Sequence, residues 1–208
     1  MLVGLWLLGG YLLGAIPFGV VVCRALGRPD PRTVGSRNIG FTNVLRVAGK
    51  DAGLLTLLCD MGKGWVAGWG AGQVFGNRWI VLAIAFAPVV GHLFSVFMRF
   101  RGGKGVATAL GAILGVEPVL GGMLLAVWVG SAARWRYSSG AAIAAFTLFP
   151  LVALLRGDRP LVVFAFLVSG AILLRHRDNM RRLWNGTEPK IGKRQEGSRG
   201  QAESVSSA

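Results

Sequence analysis

Between residues 35 and 46 the sequence runs Gly35-Ser36-Arg37-Asn38-Ile39-Gly40-Phe41-Thr42-Asn43-Val44-Leu45-Arg46, with Lys50 close behind. Glycines let backbone N–H groups come close to an anion, and a helix starting just beyond them adds positive potential. Ser36, Asn38, Thr42 and Asn43 add neutral polar groups, and Arg46 adds a planar fork suited to phosphate oxygens. The chemistry these residues suit is the holding of a phosphate. The plainer alternative is a solvated basic loop whose charge only fixes membrane orientation.

A second stretch, Arg101-Gly102-Gly103-Lys104-Gly105, runs straight into an apolar segment. Three glycines around one lysine suit a phosphate cradle. The stretch is not a Walker A loop, because the G-x-x-x-x-G-K-[ST] spacing is missing and Val106 stands where Ser or Thr belongs. A flexible basic turn is the alternative. A third group, His176, Asn179, Arg182, Gly186 and Glu188, lies near the C-terminus. A helix over 176–183 would put His176 and Asn179 near one face, and histidine alone has an unperturbed pKa near neutrality. The same residues could instead form an amphipathic helix resting on lipid headgroups. Asp60 and Lys63, three residues apart in an apolar run, read as an ion pair that supports a site from within. His92 beside Gly91 reads as a packed, satisfied histidine, and Tyr137-Ser138-Ser139 as a polar helix boundary.

The elements that must position these groups are membrane helices. Of 208 residues, 53% are hydrophobic and 15% charged, against about 25% charged in soluble domains, and the mean hydropathy is +0.55. A formal charge of +14 would suit nucleic acid, but the basic residues sit in short gaps between apolar runs, so no nucleic-acid partner is expected. Seven apolar segments follow: Leu2–Cys23 with a kink at Pro17, Ala52–Phe75, Trp79–Met98, Gly105–Val116, Val119–Ala133, Gly140–Leu155 and Leu161–Leu174. Several are shorter than the roughly 20 residues of an upright span. The first lacks a basic leader and stays apolar too long for a signal peptide. Cys23 and Cys59 lie in apolar runs and read as buried, unpaired thiols; no metal-ligand spacing occurs.

Lys and Arg crowd alternate gaps. Arg24, Arg28, Arg32, Arg37, Arg46 and Lys50 follow the first segment, Arg99, Arg101 and Lys104 the third, Arg134 and Arg136 the fifth, and eight more occupy the tail from Arg175. The other gaps hold Arg78, nothing, then Arg156 and Arg159. By the positive-inside rule the crowded gaps are cytoplasmic, the N-terminus faces outward and the C-terminus inward. The fold expected is an all-α, polytopic integral membrane bundle of about seven transmembrane segments over 1–192. A polar tail at 193–208, rich in Gly, Ser, Gln and charge, is expected to be disordered.

Taken together, Gly35–Arg46, Gly91-His92-Leu93-Phe94, Arg101-Gly102-Gly103-Lys104-Gly105-Val106-Ala107-Thr108, and His176-Arg177-Asp178-Asn179-Met180-Arg181-Arg182-Leu183 with Gly186-Thr187-Glu188 resemble the bacterial acyl-phosphate:glycerol-3-phosphate acyltransferases (PlsY) over about residues 5 to 192. That family usually has G-S-G-N and a small residue before the Thr-Asn pair in its first motif, where Arg37 and Phe41 stand here, and Pro where Ser95 stands. The resemblance implies transfer of a fatty acyl chain from acyl phosphate to glycerol 3-phosphate, giving lysophosphatidic acid and phosphate as the first acylation of phospholipid synthesis. It implies no metal, CoA or other cofactor. A soluble phosphate acyltransferase would be a functional link supplying acyl phosphate. The location implied is the bacterial inner membrane, with the site facing the cytoplasm.

Carried over by the resemblance, Ser36, Arg46, His176 and Asn179 are catalytic. Asn38, Thr42, Asn43, Gly102, Gly103, Lys104 and Gly105 bind substrate, with the glycine loop on acyl phosphate, and Glu188, Asp60 and Lys63 support the site. His176 is a candidate general base, with substrate phosphate as the alternative proton acceptor. Two other functions fit the basic loops. A transporter of phosphate-bearing anions would also use Asp60 and Lys63 in its path, but its outward gaps should be more polar. A scaffold binding anionic lipid would leave Ser36, Asn38, Asn43 and Asn179 unexplained.

Overall fold

Proline sets the first feature of the fold. Pro17 lacks an N–H and its ring clashes with the preceding turn, so the first apolar segment breaks into α1 (Leu2–Ala15) and α2 (Phe18–Ala25), bent by 47°. In this computed structural model residues 1–192 are described, and the tail expected at 193–208 lies outside the described residues. A loop leads to the short α3 (Phe41–Ala48) and the long α4 (Lys50–Val74). Then come α5 (Arg78–Leu93) with a 3₁₀ turn at Val96–Met98, α6 (Val106–Val116), α7 (Pro118–Trp135), α8 (Ser138–Arg156), α9 (Arg159–Arg175) and α10 (Arg177–Trp184). Every apolar segment expected from the sequence is helical, and no strand occurs among the described residues.

Arg78–Met98 and α8 are each long and apolar enough to cross a membrane, and the bent pairs α1–α2 and α9–α10 raise the number to four. By length α4 also suffices, at 25 residues, but it carries Asp60 and Lys63. With 11 residues, α6 rises about 16 Å, roughly half of a ~30 Å hydrocarbon core. Its residues Thr108–Ile113 are all buried, which places it inside the bundle rather than against solvent or lipid.

What lets α6 sit there is glycine. A Cβ at Gly64 or Gly68 of α4 would strike the α6 backbone at Thr108 or Ala112, and one at Gly111 or Gly115 of α6 would strike α4 at Met61 or at Trp65 and Trp69. Small residues four apart on facing helices bring two backbones together where lipid offers no hydrophobic drive. Beside this seam Phe146, Phe149, Phe164 and their neighbours from α5, α6, α8 and α9 form the apolar core.

The turns at the far end of these helices are tied by charge. Arg78 pairs with both Glu117 and Asp158, and Arg156 reaches Glu117 at 2.6 Å. The ends of α5, α7, α8 and α9 are thereby cross-linked opposite the polar loops.

Candidate active site

Asn43, near the start of α3, holds the first loop in shape. Its amide N–H groups are shared among the carbonyls of Pro31 (2.9 Å), Val34 (3.2 Å) and Asn38 (2.9 Å), and its Oδ1 accepts from the Ser36 N–H at 2.9 Å. Gly35 is needed here, because it sits at φ +64° and a Cβ would collide with Asn43 Oδ1. The Asn38 side chain accepts from the Gly40 N–H at 2.8 Å, and the Thr42 hydroxyl meets Ser138 on α8 at 2.7 Å. Asn43 is therefore a latch whose hydrogen bonds go to the protein. Arg46, one turn further along α3, is different: its Nε is buried and finds no partner among the described residues.

The second loop departs from a glycine cradle. Gly102 donates its N–H to Leu93 O (3.2 Å) and Gly103 to His92 O (3.0 Å). A Cβ at either position would run into that strand of backbone or the His92 ring. These glycines admit a close approach of protein to protein, and neither lines the cavity described below. What faces the cavity is Lys104, Gly105, Val106 and Ala107, the lysine together with the start of α6, where helical N–H groups lack intrahelical acceptors.

The third group forms a chain of hydrogen bonds. Lys104 Nζ donates to Asn179 Oδ1, Asn179 Nδ2 donates to Glu188 Oε1 at 2.6 Å, and Ser139 Oγ donates to the same oxygen at 2.6 Å. Arg182 Nε reaches Glu188 Oε2 at 2.7 Å. Burial works to raise the Glu188 pKa, but the hydrogen bonds from Ser139, Asn179 and Arg182 outweigh it and hold the carboxyl below its usual range. Burial pushes the Lys104 ammonium down to about 8. Burial, and then the charge of Lys104, push His176 down to about 4. His176 Nδ1 lies 2.8 Å from Ile172 O; a carbonyl can only accept, so Nδ1 carries the hydrogen and Nε2 keeps its lone pair.

One cavity of about 570 Å³ gathers these groups. Ser36, Asn38, Thr42, Asn43, Arg46, Asp60, Lys104, Gly105, His176, Asn179 and Glu188 line it, whereas Gly102, Gly103 and Lys63 do not. Asp60 and Lys63 form the expected buried pair at 2.7 Å. The approach is poorly aligned, and Asp60 Oδ1 is left without a hydrogen bond among the described residues. Apolar residues also line the cavity, among them Leu57, Met61, Leu110, Leu125 and Trp128, and Phe41 packs edge-on against Trp128 with ring centroids 6.3 Å apart.

Several lining groups were not picked out from the sequence. Ser138 and Ser139 read there as a helix boundary; their signal was that they share a membrane side with the other loops. The sequence marks Arg175 only as an orienting charge. It donates to Leu93 O, stacks its guanidinium 5.2 Å from the Phe94 ring centroid and faces the cavity. His92 also lines the cavity rather than lying sealed in the core.

The model of the family described as glycerol-3-phosphate acyltransferase matches residues 4–186 of the chain. The chain belongs to the glycerol-3-phosphate acyltransferase family. Similar members include a glycerol-3-phosphate acyltransferase of Aromatoleum aromaticum, 48% identical over 190 residues and covering 90% of this chain and 96% of the relative. One of Methylobacillus flagellatus is 46% identical, covering 91% and 97%. The crystal structure of PlsY (YgiH), an integral membrane glycerol 3-phosphate acyltransferase, in its glycerol 3-phosphate form superposes with a TM-score of 0.87 at 37% identity, covering 92% of this chain and 96% of that one. Its lysophosphatidic acid form gives 0.85 at 36% identity. The fold is thus that of an integral membrane acyltransferase. The departure at Arg37 also has a physical reading in this family: the residue sits at φ +56°, where the usual glycine is at ease and a side chain costs about 1–2 kcal/mol.

Proposed function

We propose that the chain transfers a fatty acyl group from acyl phosphate to the 1-hydroxyl of sn-glycerol 3-phosphate, releasing lysophosphatidic acid and phosphate. The observation that carries this is the convergence of Arg46, Lys104, Arg175 and Arg182 on one cavity that is also lined by Leu57, Met61, Leu110, Leu125 and Trp128. Two phosphate-bearing substrates, one with an acyl tail, match that lining. Family membership supports the acceptor; the donor rests on the chemistry of the site.

The bond-making needs little covalent help. The hydroxyl oxygen attacks the acyl carbon, the bond from that carbon to the phosphate oxygen breaks, and phosphate leaves with the electron pair. The protein's part is to hold two repelling anions together and to stabilise charge as phosphate departs. Ser36 and Arg46 form one phosphate site, on a loop kept in shape by Asn43 and Asn38. Lys104, with the first turn of α6, forms the other, and Asn179 and Glu188 fix the lysine. His176 offers Nε2 to the attacking hydroxyl and orients it. At a pKa of about 4 it is a weaker proton acceptor than a phosphate, whose second pKa is about 6, so the proton ends on the released phosphate.

The test is purified protein assayed for lysophosphatidic acid with glycerol 3-phosphate and either palmitoyl phosphate or palmitoyl-CoA. Palmitoyl phosphate is expected to support turnover and palmitoyl-CoA not, because the site offers an anion seat for the leaving group, and at His92 Nδ1 the Lys63 ammonium, at 2.9 Å, stands nearer than the Asp60 carboxylate, at 3.5 Å. Equal turnover of the two donors overturns the donor assignment.

The same reading puts the site on the cytoplasmic side of the bacterial inner membrane, with about seven transmembrane segments, an outward N-terminus and acyl phosphate delivered by a soluble acyltransferase. The basic loops that build the cavity are those the positive-inside rule assigns to the cytoplasm. A cysteine introduced at Arg101 should react with an impermeant maleimide only in inverted vesicles; labelling from outside intact cells reverses the orientation.

A further inference from the structure

Lys63 and His92 are 3% and 4% exposed, and their contacts decide where the histidine keeps its proton. Lys63 Nζ donates to Ile16 O at 3.0 Å, lies 2.7 Å from Asp60 Oδ1 and 2.9 Å from His92 Nδ1. An ammonium has three donors and no lone pair, so His92 Nδ1 is the acceptor. Thr108 Oγ1, at 3.3 Å from the same nitrogen, is placed to donate to it as well. A neutral imidazole accepting at Nδ1 carries its hydrogen on Nε2. Asp60 Oδ1 lies farther from Nδ1, at 3.5 Å against 2.9 Å for Lys63 Nζ, so the ammonium is the nearer partner.

Nε2 engages no hydrogen-bond partner among the described residues. It faces the Cα of Gly103, so closely that a Cβ there would strike it, and the ring lines the cavity beside Lys104 and Gly105. His92 thus lines the cavity with its Nε2–H unspent on the described residues, next to the residues that hold acyl phosphate in the reading above, on which this inference rests.

We propose that His92 is a further catalytic residue: its Nε2–H donates to an oxygen of the bound acyl phosphate, and Lys63 fixes the tautomer that makes it a donor. Such a donor is oriented by the ammonium on the other side of the ring. It adds a neutral hydrogen bond where charge develops on the acyl or phosphate oxygen, a contribution worth most when it is built in before the reaction. The role differs from that of His176, whose Nδ1–H is spent on Ile172 O and whose Nε2 is an acceptor.

The sequence has two histidines, so the full protein labelled with ¹⁵N-histidine reports both rings at once. The expected spectrum shows opposite neutral tautomers, Nε2–H for His92 and Nδ1–H for His176, assigned with His176→Gln. A non-hydrolysable palmitoyl phosphonate should then shift the His92 Nε2–H signal. In kinetics with palmitoyl phosphate, His92→Leu is expected to lower kcat/KM about a hundredfold while glycerol 3-phosphate binding, read by calorimetry, is unchanged. His92→Gln, which restores a neutral N–H, should recover activity to within roughly tenfold of the native protein. A His92 signal in the Nδ1–H or doubly protonated form, a His92 signal unmoved by saturating phosphonate, or equal losses in the Leu and Gln variants overturns the proposal. A native protein that turns over glycerol 3-phosphate with palmitoyl-CoA alone would instead remove the donor reading, and the tautomer measurement would stand apart from it.

Discussion

Arg46→Ala is expected to lower kcat/KM by roughly 30-fold or more, because losing a charge-assisted hydrogen bond in a partly dry site costs about 2–5 kcal/mol. The side chain leaves the last turn of α3 and lines the cavity, and its buried Nε is unpartnered among the described residues. That is the state of a donor waiting for an anion. Lysine should replace it poorly, since an ammonium cannot offer the parallel fork that grips two phosphate oxygens. Arg28→Ala is the control. Arg28 pairs with Asp51 at 3.2 Å on the surface, and exposed pairs of this kind contribute about 0–1 kcal/mol. Steady-state kinetics on folded protein at matched concentration decides it: near-normal activity in both variants would return the first loop to an orienting role.

Lys104 should be at least as costly to lose, with a roughly hundredfold fall in kcat/KM for palmitoyl phosphate in Lys104→Ala, and it carries a pH signature as well. Its ammonium titrates near 8 in the unliganded site. Below that pH the charge is present and binds the donor's phosphate; above it the charge is lost. Since kcat/KM follows the ionisation of the free enzyme and substrates, the profile should be level between about pH 7 and 8, above the second pKa of phosphate at about 6, and fall about tenfold per unit above about pH 8. Lys104→Arg keeps its charge through that range, so its profile should lose the alkaline limb even though its absolute activity is lower. An alkaline limb that persists unchanged in Lys104→Arg would assign the limb to another group.

The sequence made the helices and the three polar clusters legible for separable reasons. Apolar runs bounded by charge mark membrane helices whatever their tertiary neighbours, so all of them could be read. Ser36, Arg46, Lys104 and Asn179 stood out because polar groups are rare in such a chain. The use of each group was harder to read, because it depends on contacts between distant segments. Gly102 and Gly103 have the composition of an anion cradle, yet their N–H groups serve Leu93 and His92. Asn43 has the look of a substrate ligand, yet its amide is consumed by the loop it closes. Ser139 and His92 carry no local motif of their own; one gains its place from Glu188, forty-nine residues on, and the other from Lys63, twenty-nine residues back.

The seam between α4 and α6 fixes more than the height of a short helix. Gly64, Gly68, Gly111 and Gly115 each face backbone where any β-carbon would collide. Every missense change at a glycine codon adds at least that carbon, so none of these positions has a neutral neighbour in the genetic code. The exposed leucines and valines of α4, such as Leu54, Leu58 and Val66, can exchange for one another. Over long divergence the family can therefore repaint the outside of this bundle, but the line along which its central helices touch has no route by which to drift.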